Sequence, residues 1–419
     1  MPRYRVAQWI QPGHDLHGQP VDIHHEAGQA ISVKPASGSL DTEAGDRDLG
    51  SNVAFPGWWD LQCDFRDPGT DRAEGLMRGL DVAAAGGFCG VAPVASTRPC
   101  RDQPTEVRML AAASADKVTA ALPVAAVSQD RKGIELTEAR ALVEAGALAF
   151  SDDAPIERPE MLRRALEYHQ ALGTRIFSEA QDPTLHAEGL MHEGPTSTRL
   201  GLPGQSEEGE TLRIRRDLDL LRYCGGRLHF PVVTSAAGLD AIRSAKAEGL
   251  DVTCGTTAHH LLWTDADLDG FNRALKLALP LRSEADRTAL RTAALDGTLD
   301  VVVSDHRPRT PEEHDVDFMV VAPGIAGLHA VGPVLFGALL DHGATEADAL
   351  EAVSRLLATG PRHVLGVATA HTDGVTFFDA SGTLNDSLSK APNTVYSADT
   401  PGVKGQVTGA VSPRGAHWN

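Results

Sequence analysis

From residue 55 onward, eight short apolar runs alternate with longer stretches patterned for helices, and few folds accept such a chain. The runs are WWDLQCD (58–64), GFCGVAPV (87–94), KVTAALPVAAV (117–127), ALAFSDD (147–153), TRIFSEA (174–180), RLHFPVV (227–233), DVTCGTT (251–257) and DVVVSD (300–305). Several are apolar on both faces, as strands are when a parallel sheet is covered on each side. The stretches 71–87, 135–146, 158–173, 236–249 and 283–297 carry an apolar stripe near period 3.6, and most end at glycine, a usual helix stop. Ser283 followed by Asp286 nearly matches a capping box.

Eight strand–helix repeats are the count for a (β/α)8 barrel, the fold class predicted here. A doubly wound sheet is the alternative, but the Gly-rich phosphate turn that usually follows its first strand is absent. Residues 1–54 are rich in Gly, Pro, His and Asp, and after 370 the pieces GVTFFDA, NTVYSA and VKGQVTGAVS read as short strands. These ends predict a small β-sandwich-like domain, 1–54 with 365–419, attached to a barrel over 55–364. A length of 419 residues suits one large core plus such a satellite.

Composition narrows the partners. With 57 acidic against 38 basic side chains the net charge is −19, which repels a phosphate backbone, and the basic run RIRR (213–216) is too short to offset it. No nucleic-acid partner is expected. Neither a signal-like apolar start nor an 18-residue apolar run occurs, so a cytoplasmic protein without a membrane partner is expected. Cys63, Cys89, Cys100, Cys224 and Cys254 are spread out, odd in number and free of any CxxC, which argues against a disulfide framework or a structural zinc site.

Catalytic groups of such barrels sit at the C-terminal ends of strands. Read there, PGWWDLQCDFRDPG (56–69), AAAGGFCGVAP (83–93), AFSDD (149–153), AHHLLWTDADL (258–268), the run 279–308 ending VVVSDHRP, and PGIAGL (323–328) together resemble the dihydroorotase family of the amidohydrolase superfamily. The likeness covers roughly residues 50–330, and SK followed by NTVY (389–396) extends it. It implies a barrel that holds zinc through two strand-1 histidines, a strand-4 carboxylate, one histidine each from strands 5 and 6, and a strand-8 Asp that takes the proton from the attacking water.

The ligand set is broken in this chain. The strand-1 positions are Gln62 and Asp64, strand 5 offers Ser178, and strand 6 offers Val232. Asp153 (or its neighbour Asp152) and Asp305 remain, Asp305 being the vestigial catalytic candidate. Zinc takes three or four nitrogen, sulfur or carboxylate ligands, so these replacements predict no zinc. An oxygen-rich Mg²⁺ or Mn²⁺ site on Asp64, Asp153 and Asp305 is the alternative. Substrate contacts have changed as well. Arg66 is kept, but the family's MPNTNP loop reads VASTRP, placing Ser96 and Arg98 at asparagine positions; DHAPH reads DHRPR, and Ala278 stands at a usual Asn.

Other residues receive plainer readings. Asp305-His306 is a buried structural pair, and His259-His260, taken as adjacent residues on an extended segment, is structural too. Cys63 is an inert buried thiol and Glu179 points away from the barrel axis. The face RIRRDLDLLRYCGG (213–226) is solvated. The leading expectation is a dihydroorotase-like protein without zinc or hydrolase activity. The resemblance further implies a structural role beside aspartate transcarbamoylase in pyrimidine synthesis, in a homodimer or larger assembly. An active dihydroorotase interconverting N-carbamoyl-L-aspartate and dihydroorotate through an altered metal site, and a small-ligand sensor around Arg66, stay open.

Overall fold

The computed structural model describes every residue except Met1, 39–44, 187–188 and 370. All eight apolar runs are strands, in order Trp58–Cys63, Phe88–Pro93, Ala120–Ala121 with Val124–Ala125, Ala149–Ser151, Arg175–Phe177, Leu228–Phe230, Val252–Thr257 and Val301–Val303. Consecutive strands pair in parallel throughout. The third is split: Ala120–Ala121 pairs back to the second strand and Val124–Ala125 pairs forward to the fourth. Closure runs through a parallel bridge between Cys63 and His306 and a bond from Asp64 N to His306 O at 2.7 Å. The fold is a (β/α)8 barrel.

Alternation along each strand sorts its side chains. Trp59, Leu61, Ala92, Leu122, Val124, Ala149, Phe177, Val232, Val301 and Val303 fill the interior as one cluster, while their neighbours pack outward against helices. The bottom is plugged by Val364, Leu365 and Arg362, whose guanidinium lies 4.1 Å from the Trp59 ring centroid and donates to Gly57 O and Ala358 O at 2.8 Å each. A packed interior confines chemistry to the mouth.

Helices form where their end signals stand. Pro159–Leu172 stops at Gly173 and Glu284–Asp296 at Gly297, both left-handed, and the Ser283–Asp286 capping box is present. Two readings are corrected. His259 and His260 lie on the helix Ala258–Leu262, not on extended chain, because Thr257 caps it by accepting from His260 N. The face of helix Glu207–Cys224 expected to be solvated is partly internal: Arg213 and Asp217 are 2% and 0% exposed and pair at 3.6 Å, so that each neutralises the charge the other buries.

Both ends of the chain build two further sheets. Arg3–Val6, Val21–His24, Ser32–Pro35 and Arg47–Asp48 form one; Gln8–Trp9, Val53–Pro56, Val375–Asp379, Gln406–Ser412 and Gly415–Trp418 form the other. Tyr4, Val6, Val21 and Ile23 of the first pack with Trp9, Ala54, Val375, Phe377 and Val411 of the second. Among the described residues, no helix is long and apolar enough to cross a membrane.

Candidate functional site at the barrel mouth

Strand ends deliver Gln62 and Asp64 from the first strand, Asp153 from the fourth, Glu179 from the fifth, Val232 from the sixth and Asp305 from the eighth. Gln62, Asp153, Glu179, Asp305, Arg307 and Arg309 line a cavity of about 160 Å³, with Val232 and Ala278 on its wall. Arg66, Asp153 and Asp305 hold left-handed backbone, with φ of 59°, 45° and 39°. Such conformations cost about 1–3 kcal/mol each and persist where surrounding structure enforces them.

At the centre stands Arg307. Its Nε donates to Asp305 Oδ1 at 2.9 Å and its Nη2 to Asp153 Oδ1 at 2.9 Å, while Asp64 Oδ2 lies 4.0 Å from Nη1. Gln62 Nε2 donates to the same Asp305 oxygen at 3.2 Å. Ser96 Oγ donates to Asp153 Oδ2 at 2.6 Å, so this hydroxyl serves a carboxylate of the protein. Burial disfavours a charged guanidinium, but Asp153 and Asp305 outweigh it and hold Arg307 firmly protonated. Burial raises the Asp305 carboxyl, and Arg307 opposes that rise.

The fifth strand requires a correction. Ser178 faces out of the barrel and donates to the buried Asp217 at 2.6 Å. Alternation turns Phe177 and Glu179 inward instead: Phe177 packs 4.6 Å from the His229 ring, and Glu179 reaches the cavity. Phe177, and not Ser178, therefore stands at the inward position where the resemblance expects a strand-5 histidine. Burial, then repulsion from Asp153, pushes the Glu179 carboxyl up to about 8 against the pull of Arg307, so it is protonated at neutral pH. Alternation puts Glu179 on one face with Phe177, but no local pattern in this three-residue strand says which face turns inward.

Neighbouring candidates are structural. Asp152 turns away and accepts from Val127 N, Ser128 N and Ser128 Oγ at 2.9, 3.0 and 2.6 Å. His306 points outward onto Glu74 at 2.6 Å. His259 meets the Tyr396 hydroxyl at 3.1 Å and His260 meets Thr257 Oγ1 at 2.7 Å, and burial lowers both below the usual histidine range. Cys63 is 1% exposed, and burial raises its thiol well above the ordinary value. Arg66 spans the rim, its Nη1 donating to Glu313 Oε2 at 2.7 Å and its backbone N to Asp64 Oδ1 at 2.8 Å.

These residues do not fit a zinc ion. No histidine is among the described residues that line the mouth cavity, valine and phenylalanine carry no donor, and a guanidinium lies between the carboxylates that remain. Among the described residues, no group of three or more His, Cys, Asp or Glu is placed to hold a metal.

Fold and mouth together define a (β/α)8 barrel whose candidate site lies at the C-terminal ends of its strands. Structures of similar shape are an L-hydantoinase (dihydropyrimidinase) from Arthrobacter aurescens, with TM-score 0.80 and 18% identity over 99% of this chain and 95% of that one, and a dihydropyrimidinase from Brevibacillus agri, with TM-score 0.78 and 18% identity over 99% and 94%. A family model described as Dihydro-orotase-like matches residues 51–237. The dihydroorotase of Syntrophus aciditrophicus is 40% identical over 322 residues, covering 76% of this chain and 75% of its own. That of Geobacter sulfurreducens is 37% identical over 326 residues, covering 77% and 76%. The chain belongs to the dihydroorotase family.

Proposed function

We propose that this chain is a dihydroorotase-like protein of pyrimidine biosynthesis that has given up zinc and hydrolysis and acts as a structural partner of aspartate transcarbamoylase, itself assembled as a homodimer or larger unit. One observation carries the loss of chemistry: the Arg307 guanidinium bonded to both Asp153 and Asp305. Water activation in a metal-dependent barrel needs a Lewis acid to lower the water's pKa and a carboxylate free to take its proton. An arginine supplies positive charge but no open coordination position, and it cannot itself be deprotonated. The Asp305 oxygen facing it already accepts two hydrogen bonds.

Elemental analysis of chain purified without chelator tests this reading, together with a ring-closure assay on N-carbamoyl-L-aspartate with added Zn²⁺, Mn²⁺ or Mg²⁺. Far less than one metal per chain and no ring closure are expected. Stoichiometric metal with turnover would instead establish a working dihydroorotase. Co-purification with a transcarbamoylase chain tests the partner role separately.

A further inference from the structure

Beyond Asp305 the chain runs through Arg307 and Arg309 into the short helix Pro311–His314. This one loop brings a cation to the carboxylates and, six residues later, an anion to the cations. Glu313 Oε2 accepts from Arg66 Nη1 at 2.7 Å and from Thr310 N at 3.1 Å. Burial would raise the Glu313 carboxyl, but Arg66 and the Thr310 amide outweigh it and hold it below the usual range.

Arg66 is presented rigidly. Its backbone N is held by Asp64 and its Nε donates to Thr70 Oγ1 at 3.2 Å. Arg309 donates to Pro323 O, its buried Nε has no hydrogen-bond partner among the described residues, and burial together with the Arg66 charge lowers its pKa. The Arg66 guanidinium thus meets the charge of Glu313 beside a rim cavity of about 410 Å³ lined by Arg66, Gly69, Thr70, Arg72, Thr310 and Glu313. Side-chain exposures of 14% for Arg66 and 33% for Glu313 put the contact where solvent and solutes reach it.

We propose that Glu313 is an internal ligand of Arg66: a tethered carboxylate that occupies the guanidinium and keeps the rim cavity closed to small free carboxylates. The proposal rests on the reading of a mouth filled from within, but it uses a different pair of residues. A carboxylate matches a guanidinium through two parallel hydrogen bonds, and a free one competes with Glu313 for the same face of Arg66. Displacement would release the helix 311–314 and leave Arg307 in place.

The test is succinate binding to the full-length chain by titration calorimetry. Glu313→Gln removes the charge but keeps the side-chain amide that a capping box accepts, so the helix start is retained. Glu313→Gln should bind succinate at least about tenfold more tightly than the wild type, and adding Arg66→Ala should erase the gain. Equal affinity of wild type and Glu313→Gln, or a gain that survives without Arg66, would overturn the proposal. Should Glu313→Gln fail to fold, Glu313→Asp, with its carboxylate drawn back, is measured instead under the same two criteria. Metal content decides the reading of the mouth and succinate affinity decides this one, so the two fail separately.

Discussion

Arg307 Nη2 donates to Asp153 Oδ1 at 2.9 Å across 154 positions of sequence, and this bond sets the charge balance of the mouth. A double-mutant cycle on Arg307→Met and Asp153→Asn should give a coupling energy of about 1–3 kcal/mol in urea unfolding. Additive single effects would mean that the pair is a surface contact of little consequence.

Arg307→Ala should lower stability by about 1–3 kcal/mol, since it leaves carboxylates facing one another without a counter-charge. Oxygen donors suit Mn²⁺, so added Mn²⁺ should raise the Tm of this variant and leave the wild type unchanged. Differential scanning calorimetry with and without the ion reads both effects.

Rebuilding a zinc site should depend on the strand-5 register. Histidines at 62, 64, 177 and 232, combined with Arg307→Ala, should bind zinc tightly in a competition assay. The same set with 178 in place of 177 should bind as weakly as one without any strand-5 histidine. Ser178→Ala alone should cost about 1–2 kcal/mol, through loss of its bond to the buried Asp217, and should not disturb the mouth.

Acid should weaken the fold through buried neutral histidines. Burial pushes His169 and His260 down to about 4 and His329 down to about 3, against about 6.5 when unfolded. The unfolded chain therefore takes up more protons, and stability falls as pH drops from about 6.5 towards 4. Among the described residues, neither ring nitrogen of His329 has a hydrogen-bond partner. His329→Leu should accordingly reduce the loss between pH 6.5 and 4.5 by about 2 kcal/mol, measured as urea midpoints at the two pH values.

The barrel was legible because its strands are buried on both faces and its helices end at left-handed glycines such as Gly173 and Gly297, features written in local sequence. Site positions were harder to read. Strand 5 is only three residues long, so nothing around Ser178 fixed its parity; the outward bond to Asp217 comes from a helix 39 positions later. His259 and His260 appeared extended because a five-residue helix is too short to show a period. Arg307 could be seen as a departure from DHAPH. That it would reach the carboxylates of strands 4 and 8 depends on where the loop leaves the barrel, which no local pattern encodes.

The sandwich of chain ends has a consequence for synthesis on the ribosome. Val53–Pro56 finds its antiparallel partner only in Val375–Asp379, with Val53 opposite Phe378. That strand emerges with an open edge and keeps it until residues 375–379 have followed it out, so a strand made before the barrel is sheltered only after it. A message broken after the barrel would therefore release a product with a bare β-edge, ready for degradation or clumping, and not a smaller working version of the protein.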